Sequence, residues 1–224
     1  NLLKKNKLEG SCVDEVILGN AVGAGLGQNP ARQALIHAGL PFAVPGFTVS
    51  KVCGSGLKSI LLGAQAIACA DANVILAGGA ENVSQCPSFS SSDKKNDILK
   101  EKNLKDSLIN DGLWCSFNDA HMVTIAEDTA ERFKISRKAQ DNYALESYRK
   151  ACLAQGKGLF RREIVPVQTT ADSFLDVDER IKAVSIDELS RMRPVFKSDG
   201  SVTAGNSPAP ADGAAIFILA SETA

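Results

Sequence analysis

A run of β-branched and aromatic residues, Phe47-Thr48-Val49-Ser50-Lys51-Val52, leads into Cys53-Gly54-Ser55-Gly56 and then into an apolar, alanine-rich stretch from Leu57 to Ala70. An extended run, a turn of small residues and a helix-forming stretch, in that order, describe a strand that bends tightly onto the start of a helix. The bend places one thiol at the helix's amino end. There the unpaired N–H groups and the positive end of the dipole favour a thiolate, the nucleophilic form of cysteine. From Val16 to Ala70 there is no Asp or Glu, whereas Arg32, Lys51 and Lys58 are present, so no carboxylate nearby in sequence opposes that anion. A small cysteine that merely fills a tight turn would read the same way, and residue chemistry alone leaves both readings open.

The flanking segments repeat the strand–helix alternation that builds α/β layers. Val16-Ile17-Leu18 is a short buried-type strand ending at Gly19-Asn20. Asn29 is a good N-cap with Pro30 at the first helical position, Gly39 can close that helix, and His37 falls in its last turn as a structural residue. The loop Gly23-Ala24-Gly25-Leu26-Gly27 lacks the third glycine and the downstream acid of a dinucleotide fingerprint. A parallel-type strand, Asn73 to Ala77, ends in Gly78-Gly79. Residues 85–111 are polar and charged, a solvated excursion with a weak helical pattern near Ile98 to Ile109. Helices follow over Thr124 to Phe133 and Ser136 to Gln155, the latter capped by Ser136 and marked by Ala139, Tyr143, Ser147 and Ala151 at helical spacing. A strand is expected over Arg161 to Val167. The last apolar strand, Ala214 to Ala220, resembles the first ones and is expected to rejoin their sheet. The domains read as a core, 1–84 with 210–224, interrupted by an inserted subdomain, 85–209.

With 25 Lys and Arg against 26 Asp and Glu, the chain has no basic stripe for nucleic acid. No apolar run has the length of a membrane span and no signal-peptide pattern opens the sequence. Six scattered cysteines and two histidines form neither a metal-ligand spacing nor a dense disulfide framework, which suits a reducing compartment, with the cytoplasm expected and an organelle the alternative. The opening Asn1-Leu2-Leu3-Lys4-Lys5 reads as the end of a helix cut from something longer.

Six motifs in order resemble the thiolase family, in its acetyl-CoA acetyltransferase branch. They are Gly27-Gln28-Asn29-Pro30-Ala31-Arg32-Gln33, Val52-Cys53-Gly54-Ser55-Gly56-Leu57-Lys58 and Ala77-Gly78-Gly79-Ala80-Glu81-Asn82, then Asp111-Gly112-Leu113, Phe117-Asn118-Asp119-Ala120-His121-Met122, and Met192-Arg193-Pro194-Val195-Phe196 through Thr203-Ala204-Gly205-Asn206. The resemblance implies a layered α-β-α core with an inserted α+β loop subdomain, matching the amino-terminal half of the family without its first strand. It implies that Cys53 is the acylated nucleophile, its N–H one donor to the thioester oxyanion. His121 and Met122 would line the pantetheine and acyl pocket. Leu113, Lys182 and Ala204 would contact coenzyme A. No permanently bound cofactor is implied, only coenzyme A thioesters as substrates, acetyl-CoA and acetoacetyl-CoA among them. The assembly implied is a homodimer or homotetramer.

Two departures stand out. Relatives commonly carry Asn-Ala-Ser-Gly-Leu-Asn-Asp-Gly where this chain reads Asn206-Ser207-Pro208-Ala209-Pro210-Ala211-Asp212-Gly213. The pantetheine-binding hydroxyl is thus replaced by Pro208 or displaced onto Ser207. The remaining catalytic groups of the family, a Gly-His-Pro histidine and a second cysteine among them, have no counterpart here, so these residues alone are expected not to complete the cycle. With the family's opening strand placed mid-sheet, the strands beginning near Val16 and Val74 are expected to have unpaired inner edges.

Overall fold

The computed structural model describes residues 1–90 and 104–224. In chain order the elements are α1 (Leu2–Lys5), β1 (Glu15–Gly19), α2 (Pro30–His37), β2 (Gly46–Val49), α3 (Ser55–Ala68), β3 (Val74–Glu81), β4 (Ser88–Ser90), β5 (Leu104–Asp106), β6 (Trp114–Cys115), β7 (Ala120–His121), α4 (Met122–Arg132), α5 (Arg137–Gly156), β8 (Val167–Thr170), β9 (Ser173–Leu175), α6 (Ile186–Arg191) and β10 (Gly213–Ala220). They form two compact units, Asn1–Trp114 with Pro210–Ala224, and Cys115–Ala209.

The first unit is built on a four-stranded sheet of order β10-β3-β1-β2, in which β1 runs parallel to both neighbours and β10 antiparallel to β3. Period-two alternation sorts its side chains onto two faces. Val16, Leu18, Val74, Leu76 and Ile218 pack with Leu3, Leu35 and Val44 on one side. Ile17, Ile75, Ala77 and Leu219 pack with Ile60, Ala66 and Ile67 of α3 on the other. Both faces are therefore apolar and helix-covered, which is the expected α-β-α layering. Ile17 and Ile75, at 1% and 0% exposure, each contribute about 1.5–3 kcal/mol by leaving water.

One expectation is overturned outright. The strands at Val16 and Val74 have no gap between them: Glu15 to Gly19 pair directly with Ile75 to Gly79. Among the described residues the sheet's open edges are the outer ones, on β2 and β10. Other differences have local causes. Gly78 and Gly79 lie inside β3 rather than ending it: β10 approaches Gly78 closer than any side chain allows, and β1 and the start of α3 leave little room at Gly79. The run before Cys53 leaves the sheet after Val49, three residues early, to make the turn that carries the thiol. Extended pairing begins at Val167 rather than Arg161, just past Pro166, whose nitrogen has no proton for a ladder.

The core unit also extends to Trp114, beyond the expected boundary at residue 84. β4 pairs with β5, the Ser107 N–H donates to the Pro87 carbonyl (3.1 Å), and Gly112 packs against Val22, which binds this segment to the loop after β1. The helical pattern near Ile98 to Ile109 lies partly outside the described residues. Within them, Leu104–Asp106 is a strand and Leu108–Leu113 a π-helical turn.

In the second unit, α5 is capped as expected, its Ser136 hydroxyl accepting the Ala139 N–H at 3.2 Å. The stripe that marked this helix faces outward: Ala139, Tyr143 and Ser147 are exposed, and the buried position is Asp141.

Candidate active site

Cys53 sits on a turn between β2 and α3, exposed to solvent. The turn is closed by the Gly54 N–H on the Lys51 carbonyl and the Ser55 N–H on the Val52 carbonyl, both 3.1 Å. Gly54 is the N-cap of α3, so Cys53 stands immediately before the helix. Bare backbone in the underlying sheet lets the turn settle there. A Cβ on Gly19 would fall 2.5 Å from the Ser55 carbonyl oxygen, and one on Gly79 would meet the Gly56 Cα at 3.3 Å. Ser59, one turn along, donates from its buried hydroxyl to the Gly78 carbonyl at 2.6 Å and so ties α3 to β3.

Glu81, at the end of β3, clamps the neighbouring loop. Its carboxylate accepts the Ala21 N–H (2.7 Å), the Val22 N–H (3.1 Å) and the Asn20 side-chain amide (3.0 Å). Leu113 closes the π-helical turn at the end of this unit.

His121 and Met122 open α4 in the second unit. His121 is the N-cap, with Nδ1 accepting the Val123 N–H at 3.1 Å. That bond assigns the neutral ring its proton on Nε2, leaving a donor available. The ring stacks on Phe196 at 4.7 Å between centroids and 21° between planes, which fixes its direction. Phe196 follows Val195, whose N–H donates to the Val202 carbonyl (3.0 Å), and Pro194 pairs with Thr203. The imidazole therefore shares a corner with the turn carrying Ala204, which is exposed.

That turn is held from below. The Thr203 N–H donates to the Asn206 side-chain oxygen (2.8 Å), and the Asn206 amide donates to Asp141 and to the Ser201 carbonyl, both 2.9 Å. Asp141 also accepts from Arg137, whose far nitrogen reaches the Leu189 and Met192 carbonyls at 2.7 and 2.9 Å. The Ser207 hydroxyl donates back to the Thr203 carbonyl at 2.6 Å, so its proton is committed within the turn. Pro208 is exposed beyond it, and Lys182 is exposed in the coil before α6. Residue-type reading passed over Asp141, Arg137 and Glu127. The available signal was an acidic residue four positions after an arginine on a helix, which usually marks a surface pair.

Glu127 makes the second clamp. Burial pushes its carboxyl up, but the N–H groups of Ser201 and Val202, the Ser201 hydroxyl and the charge of Lys197 outweigh this and hold it below the usual value of 4.5. Its stabilising contribution is therefore complete above the ordinary carboxylate range and is lost as pH falls through the lowered folded value. Wild type should lose stability across that acid limb as the carboxylate takes up its proton. Glu127→Gln should be less stable at neutral pH and show a flatter acid limb, read by thermal melts from neutral pH to the acid range.

Two further thiols differ from each other. Hydrogen bonds from the Asn118 and Phe117 N–H groups pull Cys115 below the usual thiol range, and the Asn118 amide lies 3.4 Å from its sulfur. Burial pushes Cys86 up.

A family model described as "Thiolase, N-terminal domain" matches residues 1–223. The chain belongs to the thiolase family. This thiolase chain is 48% identical over 225 residues to an acetyl-CoA acetyltransferase of Pseudomonas aeruginosa, and 45% identical over 225 residues to a probable acetyl-CoA acetyltransferase of Escherichia coli. Those alignments cover 98% and 99% of it and 57% of each relative. Among solved structures, it superposes on the acetyl-CoA acetyltransferase of Bacillus anthracis with TM-score 0.91 at 32% identity. The Acat5 thiolase of Ascaris suum, solved in complex with coenzyme A, gives TM-score 0.89 at 36% identity. Each comparison covers 99% of the present chain and 57% of the other. The chain thus spans a little over half the length of the relatives it matches. The fold expectation, an α/β core corresponding to the amino-terminal half of a thiolase, holds.

Proposed function

We propose that the protein carrying this chain is an acetyl-CoA acetyltransferase that forms acetoacetyl-CoA from two acetyl-CoA, or cleaves it in reverse, through an acetyl group on Cys53. The observation that carries this reading is the exposed thiol set on a closed turn directly ahead of α3. The Cys53 sulfur attacks the thioester carbonyl carbon, and the Cys53 N–H is one donor to the oxyanion that forms. The carbon–sulfur bond to coenzyme A then breaks, coenzyme A leaves as a thiolate that takes up a proton, and the acetyl group remains on Cys53.

In the second unit, His121 would donate from Nε2 to an amide carbonyl of the pantetheine arm, while Met122 and Ala204 offer apolar contact to the arm and to a short acyl chain. Leu113 would add an apolar contact and Lys182 a charge for the nucleotide end. With the Ser207 proton turned onto Thr203 and Pro208 unable to donate, the 206–210 loop would contact the arm through apolar surface and carbonyls rather than a hydroxyl.

Incubating the full-length protein with acetyl-CoA and mapping its peptides by mass should place one acetyl group on Cys53, released by added coenzyme A. Acetylation elsewhere, or none, would overturn the proposal.

A further inference from the structure

Val52, immediately before the nucleophile, has φ of 50°, the left-handed region that a β-branched residue rarely occupies. Its side chain is half exposed, so core packing does not impose that conformation. The turn's own hydrogen bonds must, and Ser55 makes the ones that involve a side chain. Its hydroxyl oxygen accepts the Lys51 N–H at 2.7 Å while its proton goes to the Val52 carbonyl at 2.6 Å. A single buried hydroxyl, in a residue 3% exposed, thus bridges the peptide groups that flank the Lys51–Val52 pair and holds the strained turn closed against α3. Backbone strain maintained beside a reacting group serves to aim that group.

We infer that Ser55 is a positioning residue for Cys53: it sets the sulfur's direction through the Lys51–Val52 backbone and touches no substrate itself. The inference deepens the acyl-transfer reading and rests on it. Ser55→Ala removes the bridge while leaving the helix start and the backbone bonds in place. Displacing a reacting atom by roughly 1 Å costs about 100-fold in rate. Ser55→Ala should therefore acetylate Cys53 about 10- to 100-fold more slowly at saturating acetyl-CoA, and Ser55→Thr, which keeps the hydroxyl, should recover most of the loss.

Amide hydrogen exchange reads the clamp without any chemistry at Cys53. The Lys51 N–H should exchange markedly faster in Ser55→Ala than in wild type or Ser55→Thr. Val52→Gly supplies the control for folding, because glycine accepts the positive φ. It should melt no lower than wild type and, with the Ser55 bridge intact, acetylate Cys53 at close to the wild-type rate. Ser55→Ala acetylating at the wild-type rate, or Lys51 equally protected in both, would overturn the positioning role. So would Val52→Gly acetylating as slowly as Ser55→Ala, which would assign the aim of the sulfur to the side chain at position 52 rather than to the Ser55 bridge. If wild type takes no acetyl group, the acyl-transfer reading fails instead, and the exchange rates alone decide whether the clamp exists.

Discussion

Gly19→Ala should both destabilise the first unit and disable Cys53, although position 19 carries no chemistry. A Cβ there lies inside contact distance of the Ser55 carbonyl carbon and the Gly56 nitrogen, and 2.5 Å from the Ser55 oxygen. All three are backbone atoms at the start of α3, so no rotamer change relieves the overlap. The helix start must move away from β1. Overpacking of this kind costs about 1–3 kcal/mol, and more where backbone must shift. The same displacement, of order 1 Å, takes Cys53 with it, for about a 100-fold loss of acetylation rate. Gly156→Ala is the matched control. Nothing lies within 4 Å of a Cβ at the end of α5, so alanine there should be neutral or slightly stabilising. Thermal melts and peptide-resolved acetylation of both variants check the prediction. A Gly19→Ala protein with wild-type melting and acetylation would show that α3 is not seated on β1 as described.

What the sequence alone revealed of this arrangement follows from which signals are local. Asn29-Pro30 and Gly39 bracket α2 as expected, because a cap, a fixed φ and a left-handed residue (φ 81° at Gly39) act on their own neighbours. Gly78-Gly79 misled for the opposite reason. Glycine in a buried run usually marks an end, but here a Cβ on Gly78 would collide with the Ala215 oxygen and sit 2.8 Å from the Ile216 Cα. The reason lies more than a hundred residues away, on β10. The direct pairing of β1 with β3 is equally invisible, since two parallel strands buried on both faces carry no mark of which neighbour they choose. Cys53 and its turn were legible from residue order, and the family resemblance pointed to His121, Met122 and Ala204. The residues that hold them were not. Ser55, Glu81, Glu127 and Asp141 are ordinary polar letters whose partners appear only once the chain is folded.

Asp141 is where that hidden support is most concentrated. Its side chain is 2% exposed and its two oxygens accept from Arg137 at 3.0 and 2.8 Å and from the Asn206 amide at 2.9 Å. Asp141→Ala takes this acceptor from a partly buried guanidinium and from the Asn206 amide. Removing the acceptor of partly buried donors costs about 1–3 kcal/mol, a large share of the roughly 5–15 kcal/mol that holds a typical domain together. The loss should be local before it is global. Arg137 secures the Leu189 and Met192 carbonyls and Asn206 secures Thr203, so α6 and the turn at 203–207 lose their anchor together. Limited proteolysis of Asp141→Ala should cut between 190 and 209 at temperatures where wild type is intact. Asp141→Asn can still accept from Arg137 through one oxygen but not serve both donors equally, and should fall between the two. In the full-length enzyme Asp141→Asn should raise the KM for acetyl-CoA more than it lowers kcat, because it loosens the turn bearing Ala204 while leaving the Cys53 turn untouched. A fall in kcat at unchanged KM would mean that this turn does not help to hold the coenzyme A arm.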